Sequence, residues 1–212
     1  MSFPGRAEQL IQPDSQSASL LSLTLMARRL IRAFCLNAFH DSGLMRIRVL
    51  ASSDVELFYP FRLRGLKEHP EAFGSTFAEE SHQSVEVWRS RFHCTEENFV
   101  LGAFGEESQL IGVAGFYRET HLKLRHKGFV WGMYVAPESR GRGVGRALLA
   151  SLIERVKVLP GLEQIGLDVV TVNRAARGLY LSQGFEIYAL EREAMKQEGE
   201  YYDVEHMVLR LG

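Results

Sequence analysis

Residues 129–149 restrict the fold of this chain more than any other stretch. Phe129 to Val135 is an apolar, aromatic-rich run of strand character. Pro137 stops it, glycines and arginines alternate from Arg140 to Arg146, and a clean helical pattern opens at Val144. A strand that passes through a glycine turn into a helix N-terminus points several backbone N–H groups at one spot, which makes an anion site. The helix adds about half a positive charge at that end. Arg140, Arg142 and Arg146 add forked donors suited to phosphate. The stretch reads as the binding turn for a phosphorylated ligand. The bland alternative, a tight strand-to-helix connection, leaves three neighbouring arginines as coincidence.

Glycine turns are common, so the spacing decides which ligand is meant. No Gly-x-x-x-x-Gly-Lys-Ser/Thr run occurs, which excludes the P-loop pattern. Gly141, Gly143 and Gly145 fall two apart, with Leu148 where a dinucleotide fingerprint would want glycine. What stands is Arg140-x-x-Gly143-x-Gly145. Further along, Leu167 to Val170 reads as a buried strand, followed by Asn173, Ala176, Tyr180 and then Gly184-Phe185. In order and spacing these two blocks resemble the GNAT acyltransferase superfamily: its Q/R-x-x-G-x-G/A turn, and its strand followed by Asn-x-x-Ala-x-x-x-Tyr-x-x-x-Gly-Phe.

The rest of the chain is compatible with that resemblance. From Met45 onward the order reads β-α-α-β-β-β-α-β-α-β-β. Helices are expected over Ser53 to Leu66, Ser84 to Phe92, Val144 to Val158 and Ala175 to Gln183. The last strands are expected at Phe185 to Ala189 and Asp203 to Leu211. The resemblance implies one α/β domain with the GNAT fold: a mixed, mostly antiparallel central sheet with helices on both faces. Its strands four and five splay apart, here Phe129 to Val135 and Gln164 to Val170.

The N-terminal part differs. Residues 1–44 include a Ser/Gln-rich run and read as a mobile extension, with the functional domain at 45–212. Leu20 to Leu25 is a short apolar run followed by Arg28-Arg29, the reverse of a secretory signal's charge order. It is also far short of the roughly 20 residues a membrane span needs. A weakly amphipathic helix over Leu20 to Phe39, acting as a targeting presequence, is the alternative. The formal net charge of -1 favours neither nucleic acid nor a strongly acidic partner, and no membrane partner is expected. Cys35 and Cys94 make no disulfide framework and no metal site, so a cytoplasmic location without a metal is expected.

The resemblance also implies roles. Acetyl-CoA is the expected co-substrate. Backbone groups at Met133 and Val135 would pair with its pantetheine arm. Arg140, Gly141, Arg142, Gly143, Val144, Gly145 and Arg146 would hold its pyrophosphate. Asn173 would touch the arm, although an Asn there also caps a helix. Tyr180 would protonate the departing thiolate, since a phenol near pKa 10 stays protonated at neutral pH. Its alternative is packing against Leu179 and Phe185.

The family's strand-four glutamate has no counterpart in Lys127 to Trp131. Glu119, His121, His126, Asp203 and Glu205 all remain open as the base. Glu71, Glu79 and Glu80 could meet a cationic amine or simply be solvated. The expected activity is transfer of acetyl from acetyl-CoA to a primary amine, small-molecule or protein, by direct attack in a ternary complex. A homodimer is left open. The rivals are a non-catalytic acyl-CoA sensor, and a scaffold whose extension recruits a partner.

Overall fold

The computed structural model describes residues 40–41, 45–92 and 94–212. The amphipathic segment Leu20 to Phe39 and nearly all of the expected extension lie outside the described residues. Eight strands form one sheet: β1 (His40–Asp41), β2 (Arg46–Val49), β3 (Asn98–Phe104), β4 (Leu110–Arg118), β5 (Lys127–Val135), β6 (Gln164–Val170), β7 (Glu186–Gln197) and β8 (Glu200–Arg210). Their spatial order is β1-β2-β3-β4-β5-β6-β8-β7. Every neighbouring pair is antiparallel except β5 with β6. β1 pairs with β2, so the sheet begins upstream of Met45.

Among the described residues five α-helices cover it: α1 (Val55–Glu68), α2 (Phe77–Ser81), α3 (Val85–Arg91), α4 (Val144–Lys157) and α5 (Arg174–Ser182). Among the described residues no helix is long and apolar enough to cross a membrane. α4 places Leu148, Leu149, Leu152 and Val156 on one stripe, all fully buried with Leu101, Phe116 and Ile165 of the sheet. Each such leucine is worth about 2 kcal/mol relative to exposure. On the opposite face Phe58 and Phe61 of α1 pack with Leu50, Val113 and Tyr134, and Trp88 leans on them. This second layer covers the sheet mainly as far as β5. The cavity-facing side of β6, β7 and β8 is left more open.

The expected splay is present, and its cause is local. β5 and β6 are in register only at Lys127, Gly128 and Phe129, opposite Gln164, Ile165 and Gly166. Further along, β5 bulges against β4. Trp131 pairs with Gly115 and Tyr134 with Val113, so Gly132 and Met133 together face Ala114. Gly132 has φ +62°, a left-handed conformation that glycine adopts without a Cβ penalty. A bulge of this kind bends its strand and takes backbone groups out of the ladder.

Two features depart from expectation. α2 is an additional short helix, closed by a capping box in which Thr76 Oγ1 accepts from Glu79 N–H while the Glu79 carboxylate accepts from Thr76 N–H. The closing strands are also longer than read, joined at Glu198-Gly199 with both residues at positive φ, as a two-residue hairpin turn requires. Their extra length carries a polar sequence exposed along most of its course, so no apolar alternation marked it.

Candidate active site

Two cavities open on either side of the splayed strands. The first, of about 360 Å³, is walled by Met133, Tyr134 and Val135 of β5, by the glycine turn, and by Asn173, Ala176, Leu179 and Tyr180. Gly141 and Gly143 have φ of +72° and +80°, and a Cβ built on either meets nothing within 4 Å. Space is therefore not what excludes a side chain there; backbone conformation is. Gly143 is the N-cap of α4, so the free N–H groups of its first turn open toward this cleft.

The predicted turn residues divide on inspection. Gly141, Gly143, Val144, Gly145 and Arg146 line the cleft, whereas exposed Arg142 does not. Arg140 lines it but is tied down: its Nε donates to the Val135 carbonyl at 3.0 Å and its Nη2 to His69 Nε2 at 2.9 Å. A guanidinium can only donate, so the His69 proton sits on Nδ1, 3.4 Å from Glu71 Oε1. Arg146 Nη2 reaches Ser182 Oγ at 3.3 Å. A second strap joins α1 to the turn, with Arg64 bonding Glu68 at 2.8 Å and Glu138 through both carboxylate oxygens at 2.8 Å. The Arg64 guanidinium holds the Glu138 carboxyl down to about 2. Glu68 also accepts from the Tyr134 hydroxyl at 2.5 Å; burial first, and then this bond, push that phenol well above its usual range.

Asn173 caps α5, its Oδ1 accepting from Ala176 N–H at 3.1 Å. The cap takes the oxygen and leaves the amide NH2 at the cleft wall. Tyr180 is buried, its ring 6.1 Å from Phe185, and burial pushes its hydroxyl up to about 12.

The second cavity, of about 440 Å³, lies over β6 and β8 and is walled by Arg62, Phe129, Trp131, Asp168, Glu191 and His206, among others. Met133, Asn173, Ala176 and Tyr180, with Ala72 and Phe73, line both cavities. The bulge and Tyr180 thus stand where the two spaces meet. At the wall, Asp168 Oδ1 lies 2.7 Å from His206 Nδ1, and Glu191 Oε2 lies 3.1 Å from His206 Nε2. The Asp168 bond is the main cause that raises the His206 pKa above the usual imidazole value.

None of the acids and histidines singled out as bases lines either cavity. Glu205 pairs with Arg177 at 2.7 Å, and Asp203 accepts from Glu193 N–H at 2.9 Å. Glu119, His121 and His126 sit at the β4–β5 connection, away from both spaces. Glu80 is buried against Arg62 at 3.0 Å and Glu79 closes the α2 cap, so neither faces the second cavity. Sequence reading missed Asp168, Glu191 and His206 because they come from three strands and only sheet register brings them together. The available signal was the polar residue Asp168 inside an otherwise apolar buried strand.

The fold is of the GNAT type, and comparison with known proteins agrees. The pattern of the acetyltransferase (GNAT) family matches residues 64–185, more than half of the chain. The chain belongs to the GNAT acetyltransferase family. It is 34% identical over 79 residues to the L-methionine sulfoximine/L-methionine sulfone acetyltransferase of Pseudomonas aeruginosa, a match covering 37% of this chain and 45% of that protein. It is 30% identical over 98 residues to the N-acetyltransferase YoaA of Bacillus subtilis, covering 46% and 54%. The chain thus spans about half the length of the curated relatives it matches.

Solved structures share the fold. A GNAT-family acetyltransferase from Streptococcus pneumoniae superposes with a TM-score of 0.69 at 22% identity, over 79% of this chain and 99% of that one. YncA of Salmonella typhimurium, solved with its cofactor acetyl-CoA, also reaches 0.69 at 22% identity, over 80% and 95%.

Proposed function

We propose that this protein transfers an acetyl group from acetyl-CoA to a primary amine by direct attack in a ternary complex, with residues 45–212 as the working domain and the cytoplasm as its location. The observation that carries the reading is the meeting of two cavities at Met133 and Tyr180, one fit for a phosphorylated arm and one fit for an amine. Glycine backbone at positive φ, the start of α4 and Arg146 suit the cleft to pyrophosphate. In this reading Arg140 orients the turn through Val135 and His69 while Arg142 adds long-range attraction from the surface. The Asn173 amide donates to the arm. Backbone at Met133 and Val135 lies along it, an added strand in the splay.

The chemistry follows from where charge develops. Attack on the thioester carbonyl creates an oxyanion, and a bulged strand supplies a preorganised N–H near Met133 to receive it. As the carbon–sulfur bond breaks, the Tyr180 hydroxyl donates to the sulfur. A phenol held at about 12 is a weaker acid than a free thiol near 8.5. Tyr180 therefore stabilises the thiolate by hydrogen bonding and passes its proton as the nitrogen gives one up. The second cavity takes the acceptor. Its volume and its carboxylates suit a small cationic amine, and the Pseudomonas relative that acts on L-methionine sulfoximine and sulfone supports an acceptor of amino-acid size.

The test is thermal stabilisation by acetyl-CoA and CoA, followed by free-thiol release against a panel of amines. A saturable shift with release for one amine class is expected. A shift with no release across the panel would make the protein a sensor, and no shift would remove the reading.

A further inference from the structure

We infer that His206, held between Asp168 and Glu191 on the wall of the second cavity, is the general base that takes the proton from the acceptor amine. His206 has this role only if the adjoining cleft carries acetyl-CoA as proposed above. The placement follows from sheet register. Asp168 on β6 stands directly opposite His206 on β8, one residue along from the pair Leu167 and Met207. Leu167 and Met207 are buried in the core, so alternation turns Asp168 and His206 to the cavity side. Glu191 arrives from β7 at the edge of a register shift that sets Arg192, Glu193 and Ala194 against Asp203 alone. Bulges of this sort re-aim a side chain.

The two carboxylates divide the labour. Asp168, 2.7 Å from Nδ1, fixes the tautomer and leaves Nε2 as the nitrogen that gains and loses a proton. Glu191 accepts from Nε2 at 3.1 Å in the imidazolium, and its side chain is 59% exposed, so it can turn away and open the neutral nitrogen to the amine while the proton passes to water. An ammonium acceptor gives one proton to Nε2, its lone pair forms the nitrogen–carbon bond, and the carbon–sulfur bond breaks. The second proton passes from the nitrogen to the Tyr180 oxygen as Tyr180 delivers its own to the sulfur, so the phenol is restored. The net products are amide, thiol and one proton in solvent.

The other charged groups around the imidazole do not replace it. Arg62 of α1 is bound to Glu80, Tyr180 of α5 stays protonated, and Tyr117 of β4 is pushed up by burial and by Glu119 and Asp168. The Tyr188 ring of β7 stands 6.0 Å from His206. Because Asp168 favours the charged form, neutral His206 emerges only at a pH above the usual imidazole range. Rate therefore climbs with pH and is lost on the acid side.

The experiment follows thiol release by the full chain between about pH 5.5 and 9, a span that brackets the imidazole range. The amines are L-methionine sulfone, L-methionine sulfoximine, spermidine and an alanine-initiated peptide, and the fastest is carried through the variants. His206→Gln is expected to lose about 10² to 10³-fold in kcat/KM and the acid limb with it, while keeping the acetyl-CoA thermal shift. Asp168→Asn is expected to move that limb to lower pH in the wild-type background only. If His206→Gln keeps kcat/KM within about threefold and retains the acid limb, the base assignment is wrong while acetyl transfer stands. An acid limb that Asp168→Asn still moves in the His206→Gln background overturns it equally. No release by the wild type with any amine, despite an acetyl-CoA shift, removes the transfer reading itself.

Discussion

The two cavities are built by opposite means. The cleft at the start of α4 is made of backbone: left-handed glycines, free N–H groups of a first helical turn and a bulged strand. The cavity over β6 and β8 is made of side chains, with Asp168, Glu191 and His206 gathered from three strands and Arg62 from a helix. Backbone recognition suits a ligand that never changes, because the chain geometry that makes it is written in one continuous stretch. Side-chain recognition suits a partner that varies, because single substitutions alter it without disturbing the fold. On the reading proposed above, the constant partner, acetyl-CoA, and the variable one, the amine, are thus separated by Met133 and Tyr180 within one small domain.

The sharpest way to break that contrast is to put charge into the backbone site. Gly143→Glu sets a carboxylate against phosphate, a repulsion of about 4 kcal/mol at 4 Å near a protein surface. The left-handed conformation at φ +80° adds about 1–2 kcal/mol of strain for any side chain. Affinity for acetyl-CoA, read by titration calorimetry, should fall on the order of 10³-fold. Gly143→Ala keeps only the strain, so it should lower the melting temperature and spare most of the affinity. Unchanged affinity in Gly143→Glu would place the pyrophosphate elsewhere.

Next in size is a change on the acceptor side. Arg62 and Glu80, each with a side chain 8% exposed, pair through two hydrogen bonds beneath the second cavity. Glu80→Ala strands a buried guanidinium and should cost about 3–5 kcal/mol in denaturant unfolding. At temperatures where the variant is folded, acetyl-CoA affinity should hold while the KM for the amine rises. Equal loss in both would mean that the cavities are not independently built.

Tyr180→Phe probes the boundary. The ring keeps its packing against Phe185, so acetyl-CoA stabilisation should persist while kcat falls about 10²-fold. An undiminished kcat would reduce Tyr180 to a packing residue.

The same contrast explains what could be read from the chain. The glycine turn, α4, β5 and the Asn173-to-Phe185 block are local in sequence, and each carries its own punctuation of glycine, proline or cap. The splay could be named by resemblance, but its cause, two residues of β5 facing Ala114, needs pairing partners that only the sheet supplies. α2 was legible as Thr-x-x-Glu at Thr76 to Glu79 and passed over because it is too short to show helical periodicity. The proposed base was not legible in this way. Asp168 and His206 are 38 residues apart and meet only through register, while Glu119, His121 and His126 drew attention by lying near the motif. Nearness in sequence does not reveal what a β-sheet assembles.

Asn173 offers the smallest effect and the finest test, because one side chain serves both a helix and the cleft. Its Oδ1 caps α5 through Ala176 N–H, and the loss of such a cap costs about 1 kcal/mol. Asn173→Ala should therefore lower the melting temperature by a few degrees, about what that free energy implies for a domain of this size. Asn173→Asp keeps an oxygen for the cap and favours the positive end of α5, so the melting temperature should hold or rise slightly. What Asp lacks is the NH2. If that group donates to the pantetheine arm, Asn173→Asp should weaken acetyl-CoA binding several-fold while leaving the apo protein as stable as before. A variant that keeps both stability and affinity would show Asn173 to be a cap and nothing more, and the arm would then be held by β5 backbone alone.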